Sequence, residues 1–574
     1  MNPDTLTPWG EAASLSLPLP EHPRPQFFRP SWQNLNGCWD YEINDGSFPD
    51  AFSDHILVPF SPESVLSGAK RSPKQGETAW YQRGLTIPKH FFKERLLLHF
   101  EAVDAECHVY LNRIEVGQHS GAYDSFTVDI TDYASPDWRN TLTVSVKDAY
   151  EGGCCTYGKQ SSEPDGIWYH GQSGIWQTVW LESIPKGHIE TMRLTPDAEN
   201  AVITLEIPNG EGVLYAIVEN GNRIASGTLG KSGTAEIAIP NPKLWTPEEP
   251  FLYDLFLNRE DDVIKSYFAM RSVRRSGTSL LLNGTPLKAA GRLDQGYWPD
   301  GLYTAPADDA LIYDIQTAKD MGFNLLRKHV KVESMRWYYH CDRLGMLVIQ
   351  DIPNGGEAYP KLWTRDLPLA LGIQLSDKHS RLFGAGSLQR RQQFRQEALS
   401  ILDTHYNCPC IIAWSLFNEG WGQFDTVTLT DALRQADGSR LIDSASGWHD
   451  QGGGDFHSRH VYFKSLRIRA DQRIQAITEC GGFGISPKRD KSLFAYRNAR
   501  DAQEFSALME RFYQKELTPL RDTLSLFVYT QLSDVEHEKN GLLSANRRTK
   551  KVDSELLSRL NTLWKNGKER IDNA

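Results

Sequence analysis

The sequence predicts a multidomain chain: an N-terminal jelly-roll β-sandwich, an immunoglobulin-like β-sandwich and a C-terminal (β/α)8 TIM barrel. Three observations carry this reading. Up to about residue 275 the chain is a succession of short β-branched and aromatic runs broken by turn residues, with little helical period. Beyond Arg274, strand-like runs alternate with helical stretches, the mark of βα units. Two of those later runs each end in a glutamate followed by glycines, as barrel strands do where they deliver side chains to the C-terminal face. At 574 residues the chain is too long for one core, which agrees with several domains.

Residues 1–185 read as the first sandwich. Arg95–Phe100, Cys107–Leu111 and Thr141–Val146 are typical of its strands. Gly166-Ile167-Trp168-Tyr169 stands apart, because aromatic residues beside a glycine suit a loop that reaches toward the barrel. Residues 186–275 read as the second sandwich, with strands at Val202–Ile207 and Val213–Val218 punctuated by Pro-Asn-Gly and Glu-Asn-Gly-Asn turns. Nothing in it looks chemical, so it reads as a spacer. Residues 276–574 read as the barrel. Its eight strands are expected near Leu287–Gly291, at Asn324–Arg327, Met346–Asp351, Ile411–Phe417, Arg440–Asp443, His460–Tyr462, Ile474–Thr478 and Leu526–Tyr529. Helices are expected at Asp308–Met321, Leu388–His405 and Ala502–Leu517. The stretch from Gly355 to Ser387 has no clear pattern and reads as a lid or a plain loop.

Composition narrows the function. A net charge of −11 argues against nucleic acid, whose phosphates demand basic patches. The eight cysteines contain no C-x-x-C pair and include the neighbours Cys154 and Cys155, so they read as reduced thiols of a cytoplasmic protein, with no zinc site. Met1-Asn2-Pro3-Asp4 lacks the regions of a signal peptide, and no apolar run approaches the length of a membrane span.

The chemistry centres on Asn418-Glu419, at the end of the fourth barrel run, and on Glu479, sixty residues later at the end of the seventh. Two carboxylates on separate strands of one barrel can face each other across a sugar, which is what glycoside hydrolysis needs. Read singly, each is an N-cap or a solvated loop residue. Arg327 at the end of the second run could pair with Glu479 and keep it anionic, or could be a surface arginine. His329, Asp294, Trp298, Asp351, Trp448, His449 and Tyr462 follow other strand ends and could bond hydroxyls or stack on a ring. His449, Asp450, Asp455, His457 and His460 could instead gather a metal, although no closed ligand set is seen.

The chain resembles glycoside hydrolase family 2, the group of β-galactosidases, β-glucuronidases and β-mannosidases. Asn418-Glu419 is similar to that family's acid/base motif, and Thr478-Glu479-Cys480-Gly481-Gly482 to its nucleophile motif. Leu35-Asn36-Gly37-Cys38-Trp39, Gly174–Trp180 and Asn241–Pro247 extend the likeness through both sandwiches. The resemblance implies a retaining exo-β-glycosidase acting on a small carbohydrate without a cofactor. It assigns Glu419 as acid/base, Glu479 as nucleophile, Asn418 as the partner of the sugar 2-hydroxyl and Tyr462 as a partner of the nucleophile. It also leaves a homo-oligomer open. Glucuronidases of the family carry Asn-x-Lys before the glycine that follows the eighth strand, to grip the uronate. Here that stretch is Glu538-Lys539-Asn540-Gly541, so a neutral sugar is expected, a β-galactoside first, with Glu538 beside it. Mannosides, arabinosides, galactofuranosides and glucuronides stay as alternatives, as does an inactive carbohydrate-binding protein.

Overall fold

The computed structural model describes residues 6–13, 16–148, 156–486 and 494–567. Met1–Asp4, Cys154 and Cys155 lie outside them.

Two antiparallel sheets form the first sandwich. One has four strands and the other six, with Gly37–Asn44, Thr78–Thr86 and Arg139–Lys147 adjacent at the centre of the larger. Residues of Gly37–Asn44 alternate between buried and less buried, as expected of a strand with one face on a core. The inward residues, among them Trp39, Tyr41, Leu98 and Val144, make that core. The second sandwich packs a three-stranded sheet on a four-stranded one around Ile203, Leu205, Ile217 and Leu255.

The C-terminal unit is a parallel eight-stranded barrel. Its strands are β1 Ala289–Asp294, β2 Leu325–Lys328, β3 Leu347–Asp351, β4 Ile411–Ser415, β5 Leu441–Asp443, β6 Phe456–Val461, β7 Ile474–Gly481 and β8 Leu526–Thr530. The sheet runs β5-β4-β3-β2-β1-β8-β7-β6. Asp455 closes the circle: its N–H donates to Ile442 O at 2.8 Å, and its carboxylate accepts the Ile442 N–H at 2.9 Å. Strands β3, β4 and β8 are buried at every position, which is why their sequences run apolar without alternation.

All eight expected strands are present, with shifted ends. β6 begins four residues before the expected His460, because its polar residues mask the strand pattern: Ser458 and His460 point into the polar upper barrel, and His457 faces the other way toward Gln475. The expected helix Ala502–Leu517 is α-helical over Ala502–Phe512 and continues as a π turn. The stretch after Gly355 contains three short helical pieces, Leu362–Asp366, Leu367–Leu371 and Asp377–Phe383, each too short to leave a periodic signal.

Two contacts fix the units to one another. Below the barrel, Trp245 of the second sandwich and the hairpin residues Val273, Leu280 and Leu282 join the apolar floor made by Ala289, Leu325, Leu347 and Leu526. Above it, the first sandwich sends the segment after Thr156 across the strand ends. Tyr157 and Gly158 donate their N–H groups to Asn354 O, and the Tyr157 hydroxyl donates to Gly356 O at 2.8 Å.

Candidate active site

Arg327, at 0% exposure, organises the C-terminal face of the barrel. Its guanidinium donates bidentately to Asp351 at 2.9 and 2.9 Å, to Asn418 Oδ1 at 2.8 Å and to Glu479 Oε1 at 3.1 Å. One planar fork thus sets residues from β3, β4 and β7 around β2. Burial pushes the Asp351 carboxyl up, but Arg327 and His329 overcome it and hold the carboxyl down at about 2. Because Asn418 Oδ1 is taken, its Nδ2 is left without a partner among the described residues and can donate to a ligand.

The chain after β4 turns sharply to present Glu419. Asn418 bridges to Ser446, Glu419 N–H donates to Ser446 O at 2.8 Å, and Glu419 itself has a φ of +55°, a conformation that costs a side-chain-bearing residue. Gly420 must be glycine here, since its φ is +78° and a Cβ would lie 2.3 Å from the His449 ring.

His460 joins the two glutamates. Its Nδ1 lies 2.8 Å from Glu419 Oε1 and 3.4 Å from Glu479 Oε2. Burial lowers its pKa to about 4, so the ring is neutral. Its Nε2 faces Arg327 Nη1 at 3.2 Å, and a guanidinium can only donate, so Nε2 accepts and the proton sits on Nδ1. That proton points at the glutamates. An oxygen of Glu419, one of Glu479 and a nitrogen of His460 all lie within 4.8 Å of one another.

The two carboxyls differ in their support. Burial raises both pKa values. Glu479 is also gripped by Arg327 and receives the Tyr462 hydroxyl at 2.7 Å, while Tyr462 stacks on Tyr496 at 3.7 Å. Glu419 has the neutral His460 as its only side-chain hydrogen-bond partner among the described residues, and the cations Lys159, Arg327 and Arg365 act on it only through space. The direct Arg327 and Tyr462 contacts therefore give Glu479 the firmer hold on its charge and leave Glu419 better able to keep a proton.

Three stretches of chain wall the cleft of about 860 Å³ above them: residues 157–168 of the first sandwich, residues 356–369 and the segment holding Phe494 and Tyr496. Trp168 meets Trp421 edge-on at 5.0 Å, so the aromatic loop does reach the barrel.

Residues 64–185 match the sugar binding domain of glycosyl hydrolases family 2, residues 187–271 the family 2 central domain, and residues 301–468 its TIM barrel domain. The chain belongs to glycoside hydrolase family 2. A β-galactosidase of Thermoanaerobacter pseudethanolicus is 24% identical over 353 residues, covering 56% of this chain and 45% of that protein. A β-glucuronidase of Streptococcus agalactiae is 22% identical over 415 residues, covering 67% and 66%. The chain spans less than half the length of several of the curated relatives it matches. Among solved structures, a β-D-glucuronidase of Dictyoglomus thermophilum superposes with a TM-score of 0.74 at 18% identity over 95% of this chain and 98% of that one. A β-galacturonidase of Eisenbergiella tayi bound to galacturonate gives 0.71 at 18% over 93% and 98%.

Within this family 2 framework the sequence-derived residues divide in two. Arg327, His329, Asp351, Asn418, Glu419, Tyr462 and Glu479 converge, and Trp448 lines the cleft with its ring 6.5 Å from His460. Four others are turned to structural work. Asp294 pairs with Lys328 at 2.7 Å in a buried ion network that includes Glu333. Trp298 is core, with Arg547 stacked 4.1 Å over its ring. His449 pins the stretch after Gly355, with its nitrogens on Thr364 O at 2.8 Å and Leu375 N at 3.1 Å. Glu538 accepts from the Tyr169 hydroxyl and from Asn540 Nδ2, so both its oxygens are engaged.

The residues that could have gathered a metal in the loop disperse. His460 goes to the glutamates, while Asp450 and His457 group instead with Asp471. Both of those carboxylates are ion-paired to Arg473, whose guanidinium already supplies the positive charge a cation would bring.

Sequence reasoning missed Lys159, a buried lysine of the first sandwich whose ammonium makes no hydrogen bond or ion pair with a described residue. Its ammonium nonetheless acts on Glu419, Glu479 and Glu538, favouring the ionised form of each. Nothing local in Tyr157-Gly158-Lys159 announces it, because the partners lie over 250 residues away. His460 was missed as a bridge because its two partners, 41 and 19 residues away, sit on other strand ends and meet it only in the folded barrel.

Proposed function

We propose that the chain is a retaining exo-β-glycosidase. The observation that carries the reading is the close approach of the Glu419 and Glu479 oxygens, within 4.8 Å with His460 between them. Carboxyl groups about 5–5.5 Å apart suit direct attack, whereas inverting enzymes hold theirs about 6.5–9.5 Å apart to admit a water. Glu479, ionised against Arg327 and Tyr462, attacks the anomeric carbon while Glu419 passes its proton to the departing oxygen. Glu419, now a carboxylate, then takes a proton from the water that releases the sugar. Asn418 Nδ2 is placed to bond the 2-hydroxyl. Replacing Glu479 by Gln keeps shape and removes the nucleophile; turnover is expected to fall by at least about 1000-fold with the melting temperature unchanged. Retention of more than a tenth of turnover would overturn the assignment.

For the sugar we place a neutral β-glycoside first, a galactoside before others. Glu538 and Asn540 occupy the sequence positions at which glucuronidases of the family grip a uronate, and a buried carboxylate beside Glu538 would be repelled. Lys159 favours a second reading, a sugar bearing a carboxylate, because a buried ammonium without a partner is best satisfied by an anion. A panel of p-nitrophenyl glycosides separates them. The first reading expects neutral sugars to be preferred by at least about 100-fold in kcat/KM, from roughly 2.7 kcal/mol of discrimination. The second expects a uronide to be preferred, and Lys159→Gln to abolish that preference.

A further inference from the structure

Beside the cleft lies a second cavity of about 510 Å³, which shares Leu369, Trp448 and Tyr462 with it. One wall is the end of β6 and the loop after it. There Arg459, Lys464, Arg467 and Arg469 fall within eleven residues that contain no acidic side chain. Among the described residues no carboxylate lines the cavity.

These cations are not there to balance the protein's own charge. None of the four is ion-paired to a described residue. Arg459 donates to Arg467 O at 2.6 Å, and Lys464 donates to Leu369 O and Ala370 O, at the end of the short helix opposite. The side chains of Arg467 and Arg469 are exposed and make no hydrogen bond with a described residue. Burial, and next to it the charge of Arg469, makes Arg459 easier to deprotonate than usual. Arg473, a few residues on, shows the ordinary alternative, since Asp450 and Asp471 saturate it. In a chain of net charge −11, three guanidinium groups gathered without a counter-ion among the described residues mark a place where a ligand supplies one.

We propose that this cavity is a leaving-group subsite for an anionic substituent, a sulfate ester or a carboxylate, carried by the part of the substrate beyond the cleaved bond. The assignment rests on the glycosidase reading above. The leaving-group side follows from the exo reading: the terminal sugar fills the cleft that Glu419 lines, so a group reaching this neighbouring cavity, which is bordered by His460 and Tyr462 but by neither glutamate, belongs to the part beyond the cleaved bond. Its volume admits one sugar-sized group.

The test uses aryl β-glycosides of the best sugar from the panel, with three aglycones: 4-hydroxybenzoate, its methyl ester and 4-hydroxybenzenesulfonate. Wild type is compared with the Arg467→Gln/Arg469→Gln double variant, in which neither substituted side chain holds the fold. The ratio of anionic to ester kcat/KM is expected to fall by about 10-fold or more in the variant, and to fall with added salt in wild type, as charge-assisted contacts to an anion are lost. Comparing ratios cancels the intrinsic reactivity of each leaving group. A larger effect for the sulfonate assigns a sulfate ester, and a larger one for the benzoate assigns a uronate. Calorimetric binding of the same glycosides to Glu479→Gln enzyme gives a readout independent of turnover. Equal preference in wild type and double variant, in turnover and in binding, would overturn the subsite. Absence of hydrolysis with the binding preference intact would overturn the glycosidase reading alone.

Discussion

At the scale of single residues, the site is a problem of keeping one proton in place. Arg327 takes the His460 Nε2 lone pair, which forces the imidazole proton onto Nδ1, between two carboxyls. Only one of those carboxyls has a guanidinium. The asymmetry makes a prediction about Glu419. In Glu419→Ala, glycosides with poor leaving groups should lose activity by several orders of magnitude, while activated aryl glycosides lose far less, because only the former need a proton. Added azide should restore turnover and leave a β-glycosyl azide as product. Equal losses across leaving groups without rescue would make Glu419 a structural residue.

At the scale of elements, the barrel supplies both glutamates and the first sandwich supplies the wall over them. The crossing segment is held by its backbone, and Gly158 is its tight point: φ is +64°, and a Cβ would lie 2.4 Å from the Tyr123 hydroxyl and 2.7 Å from Val330 O. Gly158→Ala therefore strains the segment by about 1–3 kcal/mol. It should displace Lys159 and the aromatic loop, raising KM with a small drop in melting temperature. Kinetics identical to wild type would show that the segment does not shape the sugar site.

At the scale of the whole molecule, burial of ionisable groups sets a pH optimum for stability. Burial raises Asp342 to about 6, Asp443 to about 7 and Glu397 to about 8. These carboxyls are protonated in the fold, and the stability tied to that is lost as pH rises through those values. Burial lowers His329 to about 3 and His405 and His460 to about 4, so the fold excludes protons that the unfolded chain binds below about 6.5, and stability falls as pH drops. The melting temperature should peak near pH 6.5. A buried carboxyl contributes up to about 1.4 kcal/mol per pH unit only up to its folded value, so above pH 6.5 the decline comes from Asp443 and Glu397. Glu397→Gln, which can keep the Thr156 contact, should flatten that limb. A melting temperature that rises from pH 7 to 9 would contradict this.

Sequence by itself determined the alternation of strands and helices, the count of eight barrel strands and the two glutamates at strand ends. These properties are local: burial on both faces writes an apolar run, and a turn after it writes glycines. Arg327, Asn418 and Tyr462 were legible because each directly ends a strand or follows one. Trp298 and His449 looked equally suitable, since a strand end brings a residue to the rim but does not choose which way its side chain turns. The tertiary structure decided that, burying Trp298 under Arg547 and spending His449 on the neighbouring loop. It alone also brought Lys159 from another domain over the glutamates, and set His460 between two carboxyls sixty residues apart. Electrostatic partners are chosen by distance in space, which no window of sequence contains.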